Sequence, residues 1–319
     1  MPRQSHMISR AAGITRSLAT YYGPVWRRRR FKTFYEQFLG AGDLAFDIGA
    51  HVGNRVHVFR RIGARVVAIE PQPDFVRVLR VLYSRDHAVT IDASGVAAES
   101  GRGQLHLSSR TPTVSTFADS WMNDVRVDRR FQRIQWDTVV SVPLVTLDEL
   151  IARYGEPQFC KIDVEGFEHE VLTGLSHPLP TLSFEYIPVA IDRAVACVTR
   201  VSALGEYRYR HSRVETHRWA APHWLEPEAM IAILRAMPAD GRSGDVYAVR
   251  TDQLTRLVET ARDQASSEMD RGSAGYRTQS QALGVDQARR WRDWRDHHYG
   301  LVAFPDSWSG YYPGCGMWD

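Results

Sequence analysis

Phe46-Asp47-Ile48-Gly49-Ala50-His51-Val52-Gly53, answered by Val66-Val67-Ala68-Ile69-Glu70-Pro71, decides the fold of this 319-residue chain. Two apolar runs each end in an acid. The first, over 44–48, breaks into a turn punctuated by Gly49 and Gly53 and then into a helical pattern carrying Val56, Phe59 and Ile62. Glycine suits such a turn because a backbone without Cβ reaches positive φ and lies close against a ligand. The second run stops at Pro71 and leaves Glu70 at a strand end, 23 residues after Asp47. A carboxylate placed there accepts hydrogen bonds from both hydroxyls of a ribose.

The spacing separates two nucleoside cofactors. A dinucleotide site asks for G-x-G-x-x-G, whose amides and helix dipole meet a pyrophosphate. This chain reads D-x-G-x-x-x-G, with an acid where a pyrophosphate would be repelled. S-adenosylmethionine has no phosphate and carries an ammonium and a sulfonium, so Asp47 near its methionine end is electrostatically sensible. The candidate cofactor-binding set is therefore Asp47, Gly49, His51, Gly53 and Asn54 in the turn, and Glu70 and Pro71 after the second strand. Asp92 and Gly95 join it after a third strand read over 88–93, and Asp163 joins it from further along.

Apolar, β-rich runs alternate with helical patterns from residue 41 to about 250, the arrangement of an α/β domain with a mostly parallel sheet and helices on both faces. Strands are expected near 44–48, 66–70, 88–93, 158–163, 181–186, 206–211 and 244–250. Helices are expected over 54–62, 73–84, 147–154, 167–174, 188–203 and 226–236. Runs at 104–107 and 138–145 suggest an extra hairpin, joined by a polar and aromatic connection over 108–137. A connection of that length in a compact domain is usually a lid or binding loop.

Residues 1–40 form a basic head with a charge of +7, leaving the rest at −4. Its run Arg27-Arg28-Arg29-Arg30 leaves contact with nucleic acid or a peripheral membrane surface open. The recurrence of Phe31, Phe34, Tyr35 and Phe38 favours instead a helix whose aromatic stripe packs on the domain. Residues 251–319 form an aromatic C-terminal extension behind a Ser-, Gly- and Gln-rich linker at 266–282. A short Arg- and Trp-rich helix is read over 287–298, and its adjacent His297 and His298 do not face one ion from a helix. Three well-separated cysteines without metal spacing point to a reducing, cytoplasmic setting. No apolar run approaches the roughly 18 residues a membrane-spanning helix needs.

A second strand also ends in acids: Phe159-Cys160-Lys161-Ile162-Asp163-Val164-Glu165-Gly166. Alternation puts Phe159, Lys161 and Asp163 on one face. A lysine within an apolar central strand is costly unless paired, and Lys161 is one of only two lysines among 40 basic residues. A structural ion pair with Asp163 or another strand-end acid, and a direct role at the reacting atoms, both remain open for it. Leu182-Ser183-Phe184-Glu185-Tyr186 delivers a further carboxylate to the same edge, where open α/β sheets hold their ligands.

Taken with these runs, A-I-E-P at 68–71, T-L-D-E-L at 146–150, K-I-D-V-E-G-F-E at 161–168, L-x-G-L at 172–175, S-F-E-Y at 183–186 and S-G-D-V-Y-A at 243–248 resemble the FkbM family of S-adenosylmethionine-dependent methyltransferases. The resemblance covers about two-thirds of the chain. It implies the class I methyltransferase fold, a Rossmann-like seven-stranded sheet with its last strand antiparallel. It also implies methylation of a hydroxyl on a sugar, glycan or natural product. Lys161, Asp163, Glu165 and Glu185 are carried over as the catalytic edge, with Asp163 or Glu165 taking the proton and Lys161 steadying the alkoxide. Mg²⁺ held by Asp163 and Glu185 is a minority reading. A nucleic-acid methyltransferase is the enzymatic rival, but Glu185-Tyr186-Ile187-Pro188 is a poor match to the Asn/Asp-Pro-Pro-Tyr turn of amino-methylating enzymes. A non-catalytic cofactor-binding scaffold is the other. Trp121, Phe131, Trp136, His217, Trp219, His223 and Trp224 either stack on an acceptor or pack within the protein.

Overall fold

Five consecutive residues of β1 (Leu44–Ile48) are buried, as a strand covered on both faces requires. In the computed structural model, which describes residues 25–254, β1 pairs in parallel with β2 (Arg65–Ile69) and β7 (Phe159–Ile162). β3 (Val89–Asp92) extends the sheet beyond β2, and β8 (Thr181–Tyr186) lies parallel to β7. β10 (Gly244–Arg250) runs antiparallel between β8 and β9 (Tyr207–Arg213). The seven strands therefore stand in the order β3-β2-β1-β7-β8-β10-β9. The reversal of β10 carries its first residues to the edge where the parallel strands end, so Asp245 lies opposite Glu185.

Helices cover both faces. On one, α1 (Val25–Tyr35) and α2 (Asn54–Ile62) pack Phe34, Tyr35, Val56 and Phe59 against Phe159 and Tyr247. Phe38, just after α1, stacks on Phe159 and Tyr247 with centroids 5.3 and 5.6 Å away, so the aromatic stripe of the basic head is core. α3 (Pro73–Leu82) adds Leu79 to the same cluster. On the other face, α5 (Leu147–Tyr154), α6 (Glu168–Thr173), α7 (Ile191–Leu204) and α8 (Pro227–Arg235) bury Leu150, Val171, Val198 and Met230. α5 starts where Thr146 and Glu149 cap each other's backbone reciprocally.

The expected hairpin exists and is longer than its apolar pattern. β5 (Gly101–Leu107) pairs antiparallel with β6 (Thr138–Val145), and β4 (Gly95–Val96) adds to β6 in parallel. The 108–137 connection is not a bare loop, because it contains α4 (Asp119–Val125) around the fully buried Trp121. The helix expected from residue 188 begins instead with a 3-10 turn, Pro188–Ala190, and becomes α-helical at Ile191. Cys160 and Cys197 are buried free thiols. Among the described residues no helix is long and apolar enough to cross a membrane. The C-terminal linker, the 287–298 helix and the His297-His298 pair lie outside the described residues.

Candidate active site

The first half of the site is held by backbone. Asp47 is 1% exposed near the end of β1. Burial lifts its carboxyl to about 6, against the pull of Lys161, Arg55 and a hydrogen bond from the Val56 amide in the first turn of α2. One carboxylate oxygen of Asp47 has no hydrogen-bond partner although it is buried, the kind of orphan that an incoming cation satisfies. Gly49 sits at φ 82°, and a Cβ there would stand 1.9 Å from the Asp163 carbonyl oxygen, so the two strand ends approach only through glycine. His51 turns the chain at φ 52° and points its amide at Glu70 Oε2, 2.7 Å away. The Gln72 amide donates to Oε1 at 2.8 Å. Each oxygen of Glu70 thus takes one backbone N–H and keeps acceptor capacity, which suits two ribose hydroxyls. Burial raises this carboxyl to about 7 despite both donors.

Asn54 begins α2 with its side-chain oxygen on the Arg55 amide, and Pro71 lies between Glu70 and Gln72. Gly53 is the N-cap of the same helix, packed against Leu79 and Tyr83. The other two candidates carry structural contacts. Asp92 accepts from Ser94 Oγ at 2.6 Å, Arg153 at 2.8 Å and Tyr154 at 2.9 Å, so its carboxylate ties α5 to the sheet. Gly95 belongs to the small sheet, where Phe117 and Leu144 leave no room for a Cβ.

The second half is held by charge. Lys161 is 1% exposed, level with Asp47 and Ser183 across the sheet. Its ammonium lies 2.9 Å from Asp163 Oδ2 and 3.3 Å from Asp245 Oδ1. Burial opposes that charge, but the two carboxylates outweigh burial and keep the lysine protonated well above its ordinary range. The ion pair that the sequence left open for Lys161 is present in the geometry. Burial likewise pushes Asp163 up, and Lys161 brings it below its usual value. Asp245, 6% exposed, is a member of this site that the strand-end reading missed. Its signal was present in S-G-D-V at 243–246, but only the antiparallel register brings it to Lys161.

Glu165 and Gly166 turn the chain at φ 54° and 88°. A Cβ on Gly166 would fall 2.1 Å from the Trp121 ring, so α4 packs directly on this turn. Glu168, also missed, is 4% exposed and accepts the amides of Val164 and Gly166 at 3.1 and 3.2 Å, locking the turn. Glu165 and Glu185 are held well above the ordinary carboxylate range, by burial first and then by the charge on Asp163. Oxygens of Asp163, Glu165 and Glu185 all lie within 4.8 Å of one another. Glu185 Oε2 is buried with no partner.

The 108–137 segment touches both halves. Ser115 Oγ donates to Gln72 Oε1 at 2.9 Å, and the Thr116 hydroxyl donates to the Glu165 carbonyl at 2.7 Å. Arg193 of α7 binds the Gly166 carbonyl, Ser120 and Asp124, and Arg130 reaches the Gly241 carbonyl. Trp121, Phe131 and Trp136 pack on one another around Ile187, while Trp219 and Trp224 join the α1 cluster with His217 packed on Phe31. These rings serve packing.

A model of the FkbM methyltransferase domain matches residues 47–213, more than half of the chain, beginning at Asp47 and ending with β9. The chain belongs to the FkbM methyltransferase family. S-adenosylmethionine is the methyl donor that membership implies, and the orphaned Asp47 oxygen, the paired Glu70 acceptors and the Gly49 approach fit it. No curated protein matches the sequence. Among solved structures, precorrin-6y C5,15-methyltransferase of Geobacter metallireducens is 11% identical over 70% of this chain and 87% of that one, with a TM-score of 0.38. An S-adenosylmethionine-dependent O-methyltransferase of Thermotoga maritima is 11% identical over 69% and 64%, at 0.33. A putative methyltransferase of Streptococcus mutans, solved with SAH, is 10% identical over 68% and 94%, at 0.35. At such scores no residue role carries over, and the strand order itself defines the fold of this FkbM methyltransferase.

Proposed function

We propose that this FkbM methyltransferase methylates a hydroxyl on a sugar, glycan or natural product, with Glu185 receiving the hydroxyl proton. The observation that carries the reading is the unpartnered Glu185 oxygen on β8 beside Asp163 and Glu165, on the same sheet edge as the Asp47 and Glu70 crevice. S-adenosylmethionine, when bound, would supply an electrophilic methyl for a hydroxyl oxygen, the oxygen–methyl bond forming as the sulfur–methyl bond breaks. Glu70 would hold the ribose through its two remaining acceptor positions. Asp47 and Asp163, one carrying an orphaned oxygen and one kept ionised by Lys161, place negative charge beside the cationic end. Glu185, whose carboxyl burial and the charge on Asp163 lift above the usual carboxylate range, takes the proton as the hydroxyl oxygen is alkylated. The lid segment excludes water over the same edge. Lys161 acts through Asp163 rather than by touching the acceptor.

A divalent cation such as Mg²⁺ held by Asp163, Glu165 and Glu185 is a second reading, favoured by the proximity of one oxygen from each. It would lower the hydroxyl's pKa in place of a carboxylate base. Both readings are separated by one experiment: the full-length protein is incubated with methyl-labelled S-adenosylmethionine and panels of sugars, glycans, polyketide hydroxyls and RNA, with and without EDTA. Label on an alcohol regardless of EDTA supports the carboxylate reading, and EDTA-sensitive label supports the cation. Label on RNA alone, or cofactor binding with no transfer to any panel, removes the proposal. The acceptor is expected to be a small molecule or glycan in the cytoplasm.

A further inference from the structure

The turn at Glu165 and Gly166, which carries one acid of the transfer edge, is gripped at both of its carbonyls from outside the sheet. The Thr116 hydroxyl donates to the Glu165 carbonyl at 2.7 Å, and Arg193 Nη1 donates to the Gly166 carbonyl at 3.0 Å. The same guanidinium also reaches α4. Its Nη2 donates to Ser120 Oγ at 2.7 Å and to Asp124 Oδ2 at 3.1 Å, and its Nε reaches that carboxylate oxygen at 3.3 Å. Ser120 and Asp124 stand four residues apart and so share one face of α4. Trp121, next to Ser120, is fully buried, and its ring occupies the space that a side chain on Gly166 would need. One planar fork thus joins the start of α7, the helix α4 and the turn.

Each of the joined parts needs the others. Arg193 lies in the first turn of α7, where the helix dipole disfavours a cation, and Asp124 supplies the offsetting charge from α4. α4 has seven residues and no side-chain cap, too little to hold itself as a helix. The turn is strained. Glu165 sits at φ 54°, a conformation that a residue with a Cβ keeps only where its surroundings impose it. Relaxation to negative φ would redirect that Cβ and carry the Glu165 carboxylate away from those of Asp163 and Glu185, which now lie within 4.8 Å of it.

We propose that Arg193 is a positioning residue for methyl transfer, coupling the seating of α4 to the strained conformation that delivers Glu165 to the transfer edge. The proposal rests on the reading of Asp163, Glu165 and Glu185 as that edge. Arg193 acts through the Gly166 carbonyl, and its contacts leave the amides that hold Glu70 untouched. The edge is therefore complete only while α4 is in place, and the segment that covers the edge also shapes it. Glu168 holds the Val164 and Gly166 amides from the inner side of the turn, so loss of the outer grip is read directly in the protection of those amides.

The test combines hydrogen exchange of the full-length chain, saturated with S-adenosylhomocysteine, with single-turnover transfer to the alcohol that takes label in the acceptor panel. In Arg193→Gln, exchange over 163–168 and over 119–125 rises together by about tenfold. Transfer slows by about 10- to 100-fold, with the KM for S-adenosylmethionine unchanged. Arg193→Lys separates positioning from anchoring. Its ammonium keeps the ion pair with Asp124 but is a single point that does not also span to Gly166, so protection of α4 returns while the turn and the rate stay impaired. Asp124→Asn, at an exposed side chain that does not touch the turn, also raises exchange over 163–168, and it carries the prediction if Arg193→Gln does not fold. Unchanged protection of the turn in these variants, or a rate restored by lysine, reduces Arg193 to an anchor of α4 and overturns the proposal while leaving the transfer edge intact. A wild type that transfers label to no alcohol overturns both.

Discussion

The two halves of the site hold their carboxylates by different means. In the crevice, Glu70 is fixed by the amides of His51 and Gln72, and Asp47 takes an amide at the start of α2 and feels Lys161 and Arg55 only through charge, so each acid is held by a backbone donor. At the transfer edge, Asp163 and Asp245 share one buried lysine, while Glu185 keeps an oxygen with no partner. Backbone donors hold a carboxylate in one place whatever its charge state, which suits recognition. A shared cation couples position to ionisation, which suits proton transfer. The difference predicts that mutations in the first half change binding and mutations in the second change rate.

The largest effect falls on the unpartnered acid. Glu185→Gln keeps the shape and removes the proton acceptor, and methyl transfer falls by about 10² to 10⁴-fold with cofactor affinity nearly unchanged. Single-turnover rates with labelled cofactor and calorimetric titration read the two quantities separately. A parallel loss in both would erase the distinction between the halves.

Lys161→Met comes next and is read as stability. Removing one partner of a buried ion pair leaves its carboxylates uncompensated, and the expected loss is about 3 to 5 kcal/mol. Denaturant unfolding measures it, and the loss shrinks at acid pH as Asp163 protonates. The sign follows from Asp163. Its folded pKa lies below the ordinary value, so its contribution is present above that value and disappears as pH falls through the folded one. A loss independent of pH would assign Lys161 to packing alone.

Much of this was legible in the chain. The strand ends at Asp47, Glu70, Asp163 and Glu185 were readable because each acid closes a short apolar run, and parallel strands deliver such ends to one edge. Asp245 was not, since its partner Lys161 is 84 residues away and its strand enters the edge from the opposite direction. Glu168 looked like an ordinary first-turn acid of a helix, and its grip on the preceding turn depends on positive φ at Glu165 and Gly166. Asp92 shows a further structural task that the chain hid for a related reason: this strand-end acid also ties α5 to the sheet, through Arg153 and Tyr154. α4 stayed hidden because it has seven residues and no side-chain cap, leaving a helix that tertiary packing around Trp121 must specify.

Glu70→Gln tests the crevice directly. Losing a charged acceptor shared by two ribose hydroxyls weakens cofactor binding about 10- to 100-fold, with the single-turnover rate at saturation preserved. The same variant changes stability against pH. Glu70 in the folded protein holds its proton up to about 7, above the ordinary 4.5. Its contribution to stability is therefore full below that ordinary value and is lost as pH rises toward 7. Thermal melts of the ligand-free variant should show a shallower fall across that window than the wild type.

The smallest effects are the most discriminating, because neighbouring residues of the lid serve opposite halves. Ser115 donates to Gln72, whose amide holds Glu70, and Thr116 donates to the Glu165 carbonyl beside the transfer edge. Ser115→Ala and Thr116→Val each remove a hydroxyl with two neutral partners, Ser115 reaching Gln72 and the Pro112 carbonyl and Thr116 the Glu165 carbonyl and the Ala118 amide, each bond worth about 1 kcal/mol or roughly fivefold. Ser115→Ala should appear in the KM for S-adenosylmethionine with kcat unchanged. Thr116→Val should appear in kcat with that KM unchanged, since it loosens the Glu165 turn and the start of α4 rather than the Glu70 crevice. If both variants shift the same constant, the lid acts as one rigid cover. If they divide as expected, the boundary between recognition and transfer runs between two adjacent residues.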